Sequence, residues 1–347
     1  MYIRKILLAI ALIGLVVLGY FSFTIYQLIF SPNTSFDTEE HSVYISKKSD
    51  FSAVVDSLSP YLKDADAFVQ VAEKKAYHQN VKSGHFILKK GMNNNEVINT
   101  LRSTNVPVDI NFNNQNSLKE LSERLSEQLD PTQEEIYAVL TDSLFLAKRE
   151  MTEQQSLSLY IPNTYEFYWD SSPELVRKRL VNQYESFWTA SREKKRKALN
   201  LSRIDVSSLA AIVQKETAKV DERSRVSGVY INRLKRGMKL QADPTLIYAL
   251  KKQLNRPDTI IKRVLNKDKL IVSPFNTYLN MGVPPAPIAM PDISSIDAVL
   301  NYEKHDYLYF VADVENFGYH KFAKTLRQHN IYANKYRRWV NENKIYR

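Results

Sequence analysis

"AAIVQKETAKV", residues 210–220, sets one carboxyl side chain in a stretch otherwise built for burial. Leu209, Ile212 and Val213 recur at the i, i+3, i+4 interval of one helix face, and i+7 of that series is Glu216. Lys215 and Lys219 fall off the apolar stripe, as on a solvated face, and Ser207 or Ser208 is the expected N-cap. Glu216 then has two readings. It is a structural glutamate paired with a buried arginine such as Arg233, or an acid whose charged form its surroundings penalise.

Around this helix the order is helical first and mixed later. "RVSGVYINRLKR" reads as a second helix stopped by Gly237 as its C′ residue. "LQADPTLIYAL", "SPFNTYLNMGVPPAPIAMPD", "DYLYFVAD" and "GYHKFAKTLRQHN" follow, a succession that indicates an α+β domain. Upstream, "PELVRKRLVNQYESFWTASREKKRKAL" has the period of one long helix. Nearer the N-terminus, "SVYIS", "DFSAVVDSLSPYL", "DADAFVQVAEKKAYH" and "GHFIL" predict a β-α-α-β unit, and "VPVDINF" with "SLKELSERLSEQL" repeats the strand-then-helix order.

The chain has 347 residues, 44% hydrophobic and 25% charged, enough for two or three folded domains. Cysteine is absent, which excludes a disulfide framework, a thiolate metal site and a cysteine nucleophile. None of the eight glycines forms G-x-G-x-x-G, a Walker A loop or G-x-S-x-G, and the six histidines form no H-E-x-x-H, so no metal site is expected. A net charge of +10 suits a polyanionic partner, but the basic residues are spread along the chain, which argues against a nucleic-acid reader.

"ILLAIALIGLVVLGYFSFTIYQLIF", residues 6–30, is long enough to cross about 30 Å of hydrocarbon as a helix. Arg4 and Lys5 precede it, and Asp37, Glu39 and Glu40 follow, so the bias of positive charge predicts a cytoplasmic N-terminus with the remaining chain outside. A cleaved signal peptide is the competing reading, against which stand the length of the run and the lack of a small-x-small site.

Four of the thirteen prolines fall within "VPPAPIAMP", residues 283–291, giving a stiff segment that cannot be an ordinary strand. It is either a wall beside a groove or a connecting loop. Ser273, Asn276, Thr277 and Tyr278 just before it offer hydrogen bonds and a ring for a hydroxyl-rich sugar, although turn chemistry explains Ser-Pro and Asn equally well. In "QADPT", Gln241 and Asp243 join the binding candidates. Asp243 before Pro244 also fits a turn or a helix N-cap.

Together "AAIVQKET", "ERSRVSGVYINRLKRGMKLQADPTLIYAL", "SPFNTYLNMGVPPAPIAMP" and "DYLYFVAD…GYHKFAKTLRQHN" resemble, in order over about residues 158–330, the endolytic murein transglycosylases, or YceG-like family. "SGHFILKKGMNNNEVINTL" is more loosely similar to that family's LysM-like module. The resemblance implies a cytoplasmic tail (1–5), a transmembrane anchor (6–30), a linker (31–40), a LysM-like α/β module (41–105), a second small α/β module (106–170) and a mixed α+β catalytic domain (171–347). It implies a bacterial enzyme held in the cytoplasmic membrane by a single pass, with its catalytic domain outside. That enzyme cuts peptidoglycan glycan strands internally between N-acetylmuramic acid and N-acetylglucosamine, leaves 1,6-anhydromuramyl ends, and works beside peptidoglycan synthases. The glutamate of the K-E-T string, Glu216, is its catalytic residue. The chain departs from the family pattern at Gln214, where many relatives carry a second glutamate, and at Ala242, Phe275, Ala286 and Gln328.

A carboxyl on an apolar face stays protonated at higher pH than usual and can donate to a glycosidic oxygen. The C6 hydroxyl of the muramic residue then replaces the second carboxylate of ordinary glycosidases, and no metal, nucleotide or other cofactor is required. A muramidase-type hydrolase pairing Glu216 with Asp243, and a non-catalytic wall-binding scaffold, are the alternatives.

Overall fold

The apolar run at the N-terminus forms one helix, α1 (Tyr2–Phe30), the single helix among the described residues that is long and apolar enough to cross a membrane. The computed structural model describes residues 2–103, 105–256, 258–261 and 264–343. The expected Met1 of the cytoplasmic tail lies outside them, and α1 already includes Arg4 and Lys5. The chain divides into two compact units: Met1–Ile110 with Gln128–Thr132 and Tyr165–Ser172, and Asn111–Glu127 with Gln133–Thr164 and Pro173–Arg347.

The first unit contains the expected β-α-α-β order: β1 (Glu40–Ile45), α2 (Phe51–Leu58), α3 (Ala65–Lys74) and β2 (Gly84–Lys89), followed by α4 (Asn94–Arg102). β1 and β2 are antiparallel, with Val43 opposite Phe86. Alternation along β1 sends Val43 and Ile45 inward, and Val54, Leu58, Phe68, Val71, Val97, Ile98 and Leu101 of the helices close the core over them. Asp50, Asp64 and Asn93 cap the three helices, Asn93 in a reciprocal box with Glu96. Residues 31–39, expected as a polar linker, are instead pinned to this unit. The Asn33 side chain donates to Asp64 O at 2.8 Å and Asn94 Oδ1 at 2.7 Å, and Asn94 Nδ2 donates to Leu28 O in the last turn of α1. A buried amide must satisfy both ends, and here doing so ties the apolar helix to α3 and α4.

β3 (Pro107–Phe112) pairs with a later strand, β4, in a second two-stranded sheet. Between them come α5 (Leu118–Ser126), α6 (Gln133–Leu140), α7 (Ser143–Lys148) and α8 (Glu153–Ser156). β4 spans Asn163–Tyr168, the aromatic stretch that carried no strand expectation. The single long helix expected next is two, α9 (Pro173–Phe187) and α10 (Ala190–Ala198). Thr189 breaks them apart because its hydroxyl accepts from Arg192 N and starts a new helix.

The second unit is organised around α11 (Arg203–Glu216), which is packed by α12 (Arg223–Lys235), α13 (Asp243–Leu254) and α14 (Ile293–Leu300). Val206–Val213 are buried on every side of α11, as in a central helix. The N-cap is Ser202, in a box with Asp205. Ser207 and Ser208, expected there, lie mid-helix, where their small side chains allow close packing. The helix also ends sooner than expected: Thr217 turns to extended backbone, making Glu216 its last residue. Gly237 does end α12, at φ 61°, with Gly237 N donating to Leu234 O and Met238 N to Arg233 O, the paired bonds of a Schellman cap. Gly228 on α12 leaves no room for a Cβ beneath the Glu303 carbonyl, so the chain after α14 crosses directly on that helix. That segment leads into an antiparallel hairpin, β5 (Tyr309–Ala312) with β6 (His320–Ala323), and the C-terminal amphipathic helix α15 (Leu326–Glu342) packs on it.

Candidate active site

Glu216 reaches the end of α11 partly exposed, with Oε1 accepting a 2.7 Å hydrogen bond from the hydroxyl of Tyr230, itself buried on α12. Among the described residues Oε2 has no partner, and it is not sealed from solvent, so one oxygen is held and the other is open. Among the described residues no cation lies within ion-pair distance of this carboxyl. Arg233, the suggested partner, spends its donors on carbonyls: Nε on Leu308 O at 2.7 Å and Nη1 on Leu240 O at 2.6 Å.

Burial raises the Glu216 carboxyl from an ordinary 4.5 to about 7, and the charge of Asp243 pushes the same way. The Tyr230 hydroxyl, His320 and Arg233 oppose the shift without cancelling it. Its place at a helix C-terminus adds to this, because the negative end of the helix dipole disfavours an anion. Glu216 therefore keeps a substantial protonated fraction near neutrality, as a proton donor must.

Asp243 is the first residue of α13 and Ala242 its N-cap, so Asp243 lies one position inside the cap expected of it. It is exposed, and Oδ1 accepts from the Tyr278 hydroxyl at 2.5 Å. Burial and this bond push the Tyr278 phenol up. Glu216, Asp243 and Tyr278 thus gather at one place, with Tyr230 and Arg233 behind them. Gln241 is exposed next to Asp243, at φ 50°, with its backbone N–H on Thr277 O.

The remaining candidates shape the loop. Asn276 is 0% exposed, its Nδ2 donating to Lys269 O and Ile271 O and its Oδ1 accepting from Tyr278 N. No surface is left for a sugar, so its role as a direct contact is corrected to one of holding Tyr278 in place. Thr277, equally buried, accepts from Ala242 N at 2.9 Å and meets Thr245 Oγ1, which fixes the loop to the start of α13. Ser273 accepts from Phe275 N through its hydroxyl and from Asn280 Nδ2 through its carbonyl, as turn chemistry requires.

The proline-rich stretch is largely buried from Pro284 to Pro291, and it forms no strand. The carbonyls of Pro285 and Met290 accept from Gln155 and Asn114, so this wall is braced from behind. Gln214, where a second glutamate had been the comparison, accepts from Asp292 N at 2.7 Å and so supports the start of α14. A surface depression of this unit, lined by Leu201, Ile231, Leu234 and Val283, does not include Glu216.

Sequence spacing did not single out Tyr230 or the pair Glu222 and His320. Tyr230 sits three residues before Arg233 on α12, an i, i+3 pair on one face, which was the available signal. The His320 backbone N–H and Nδ1 both meet Glu222, at 2.7 and 2.8 Å, across a gap in sequence that no local pattern spans.

The sequence profile of the YceG-like family matches residues 43–335. A Bacillus subtilis (strain 168) protein named endolytic murein transglycosylase is 29% identical over 309 residues, covering 81% of this chain and 82% of that protein. A Streptococcus pneumoniae protein of the same name is 39% identical over 118 residues, 34% of this chain and 21% of that protein. The crystal structure of a YceG-like protein from Listeria monocytogenes superposes with a TM-score of 0.57 at 26% identity, covering 85% of this chain and 99% of that one.

Proposed function

Because the chain belongs to the YceG-like family, we propose that it is an endolytic peptidoglycan lytic transglycosylase with Glu216 as its acid and base. The observation that carries this reading is a carboxyl raised to about 7, one oxygen held by Tyr230 and the other open. Protonated Glu216 donates to the oxygen joining muramic acid to N-acetylglucosamine, and that bond breaks as positive charge develops at C1 of the muramic residue. The C6 hydroxyl of the same residue attacks C1, and its proton passes to the Glu216 carboxylate, which restores the acid. No water is consumed, and the new end is a 1,6-anhydro sugar. The nucleophile belongs to the substrate, so its attack is intramolecular and needs no second carboxylate.

Asp243 stands where it sustains the protonated state of Glu216 and holds Tyr278 over the site. Its presence also keeps a muramidase-type hydrolysis in view, with Asp243 activating water. Digestion of purified peptidoglycan in ¹⁸O-labelled water separates the two. The transglycosylase leaves new ends free of label, and incorporation of ¹⁸O at every cut would make the chain a hydrolase.

The charges flanking α1 support a cytoplasmic N-terminus and an extracytoplasmic enzyme in the bacterial cytoplasmic membrane. We read residues 41–105 as the LysM-like module and 171–347 as the catalytic part. Cuts made within nascent strands close to the membrane would end their elongation.

A further inference from the structure

The hairpin β5–β6 brings a histidine to the Glu216 site that the proton cycle above does not use. Glu222, only 4% exposed, accepts the His320 backbone N–H at 2.7 Å on Oε1 and meets His320 Nδ1 at 2.8 Å on Oε2. A carboxyl that takes one N–H on each oxygen puts a proton on Nδ1, and in the neutral ring Nε2 then keeps its lone pair. Among the described residues Nε2 has no partner, and it is not sealed from solvent. The ring is fixed from the side by Phe310, edge to face at 5.0 Å, and Phe310 in turn meets Tyr230 at 5.9 Å. Tyr230 is the residue that holds Glu216. The two groups therefore border one aromatic wall, and His320 is near enough to act on the charge of Glu216.

The second nitrogen of this carboxyl-held imidazole has no structural task in the fold. We propose that His320 is a further catalytic residue, its Nε2 accepting a hydrogen bond from a hydroxyl of the glycan at the bond Glu216 protonates, with Glu222 as its positioning residue. On the reaction proposed above, on which this inference rests, that hydroxyl is the C6 hydroxyl of the muramic residue. While Glu216 is protonated the hydroxyl hydrogen is held by Nε2, which sets the alignment of the oxygen toward C1, and once Glu216 has given its proton to the leaving oxygen that hydrogen turns from Nε2 to the carboxylate. One group exchanges the proton and the other aims the nucleophile.

Two substitutions test this in the full-length protein. His320→Asn places an amide N–H where Nδ1–H was, keeping the bond to Glu222 and removing the acceptor at Nε2. Glu222→Gln donates to Nδ1 and moves the imidazole proton to Nε2, turning the acceptor into a donor. Both variants are expected to melt close to the parent, with kcat lowered about 10- to 100-fold and KM changed less than about threefold. In parallel, the ¹⁵N resonance of His320 Nε2 is followed in a Glu216→Gln background on addition of soluble uncrosslinked glycan strands, and is expected to shift toward that of a hydrogen-bonded acceptor. A folded His320→Asn variant with parental kcat overturns the proposal, as does an Nε2 resonance unmoved by saturating strands. If the parent itself cleaves nothing, the reaction reading fails and the ¹⁵N shift alone decides whether His320 meets the glycan.

Discussion

Replacing Glu216 with glutamine should stabilise the protein at alkaline pH, which is unusual for loss of a catalytic side chain. The carboxyl titrates near 7 in the folded chain against an ordinary 4.5. A group whose folded pKa is raised binds its proton more tightly in the native state, so its contribution is complete below about 4.5 and is lost as pH rises through about 7. At about 1.4 kcal/mol for each tenfold difference in proton affinity, the loss is on the order of 3 kcal/mol above neutrality. Glutamine carries no such penalty, and its carbonyl still accepts from Tyr230. For a unit of this size the difference corresponds to a melting temperature roughly 5–10 °C above the parent at about pH 8.5, closing to nothing at about pH 4.5. Thermal unfolding of the two full-length proteins across that range measures it directly. A glutamate serving as a buried ion-pair partner gives the opposite sign, because its removal costs roughly 3–5 kcal/mol once the cation is left alone. A variant less stable than the parent at alkaline pH would refute the reasoning.

Asp243→Asn removes a negative charge that keeps Glu216 protonated, so the alkaline limb of the kcat/KM profile should move to lower pH; an unmoved limb in an active variant would separate the two residues. Asn276→Ala leaves the Lys269 and Ile271 carbonyls without their buried donor and should cost about 2–4 kcal/mol in urea unfolding, with activity falling as the loop loosens. Parental stability with lost cleavage would return Asn276 to direct sugar contact. A reporter fused after Phe36 should be active only outside the cytoplasm, and cytoplasmic activity would reverse the orientation.

What sequence disclosed and what it hid divide along local and non-local lines. The period of Leu209, Ile212, Val213 and Glu216 located the helix and the carboxyl, because side-chain spacing on a helix is a property of adjacent turns. The β-α-α-β order and the Gly237 cap were legible for the same reason. Ser202 was passed over for Ser207 and Ser208 because several serines compete near one helix start and only the reciprocal bond with Asp205 decides between them. Asn276 looked like a sugar ligand because an amide in a loop is equally suited to bind sugar or backbone. Its three bonds to the loop go to backbone, and they exist only in the folded chain. Tyr230 and His320 were not singled out for a further reason, since each acquires meaning from a partner distant in sequence, Glu216 for one and Glu222 for the other.

The central claim is that one carboxyl, Glu216, moves the proton in both halves of the reaction. The most direct measurement is mass spectrometry of the fragments released from purified glycan strands by the full-length protein and by its Glu216→Gln variant at equal concentration. The parent should release fragments one water lighter than hydrolytic products, and the variant, folded and at least as stable, should release none. Anhydro ends from the variant at the parental rate would remove Glu216 from the chemistry.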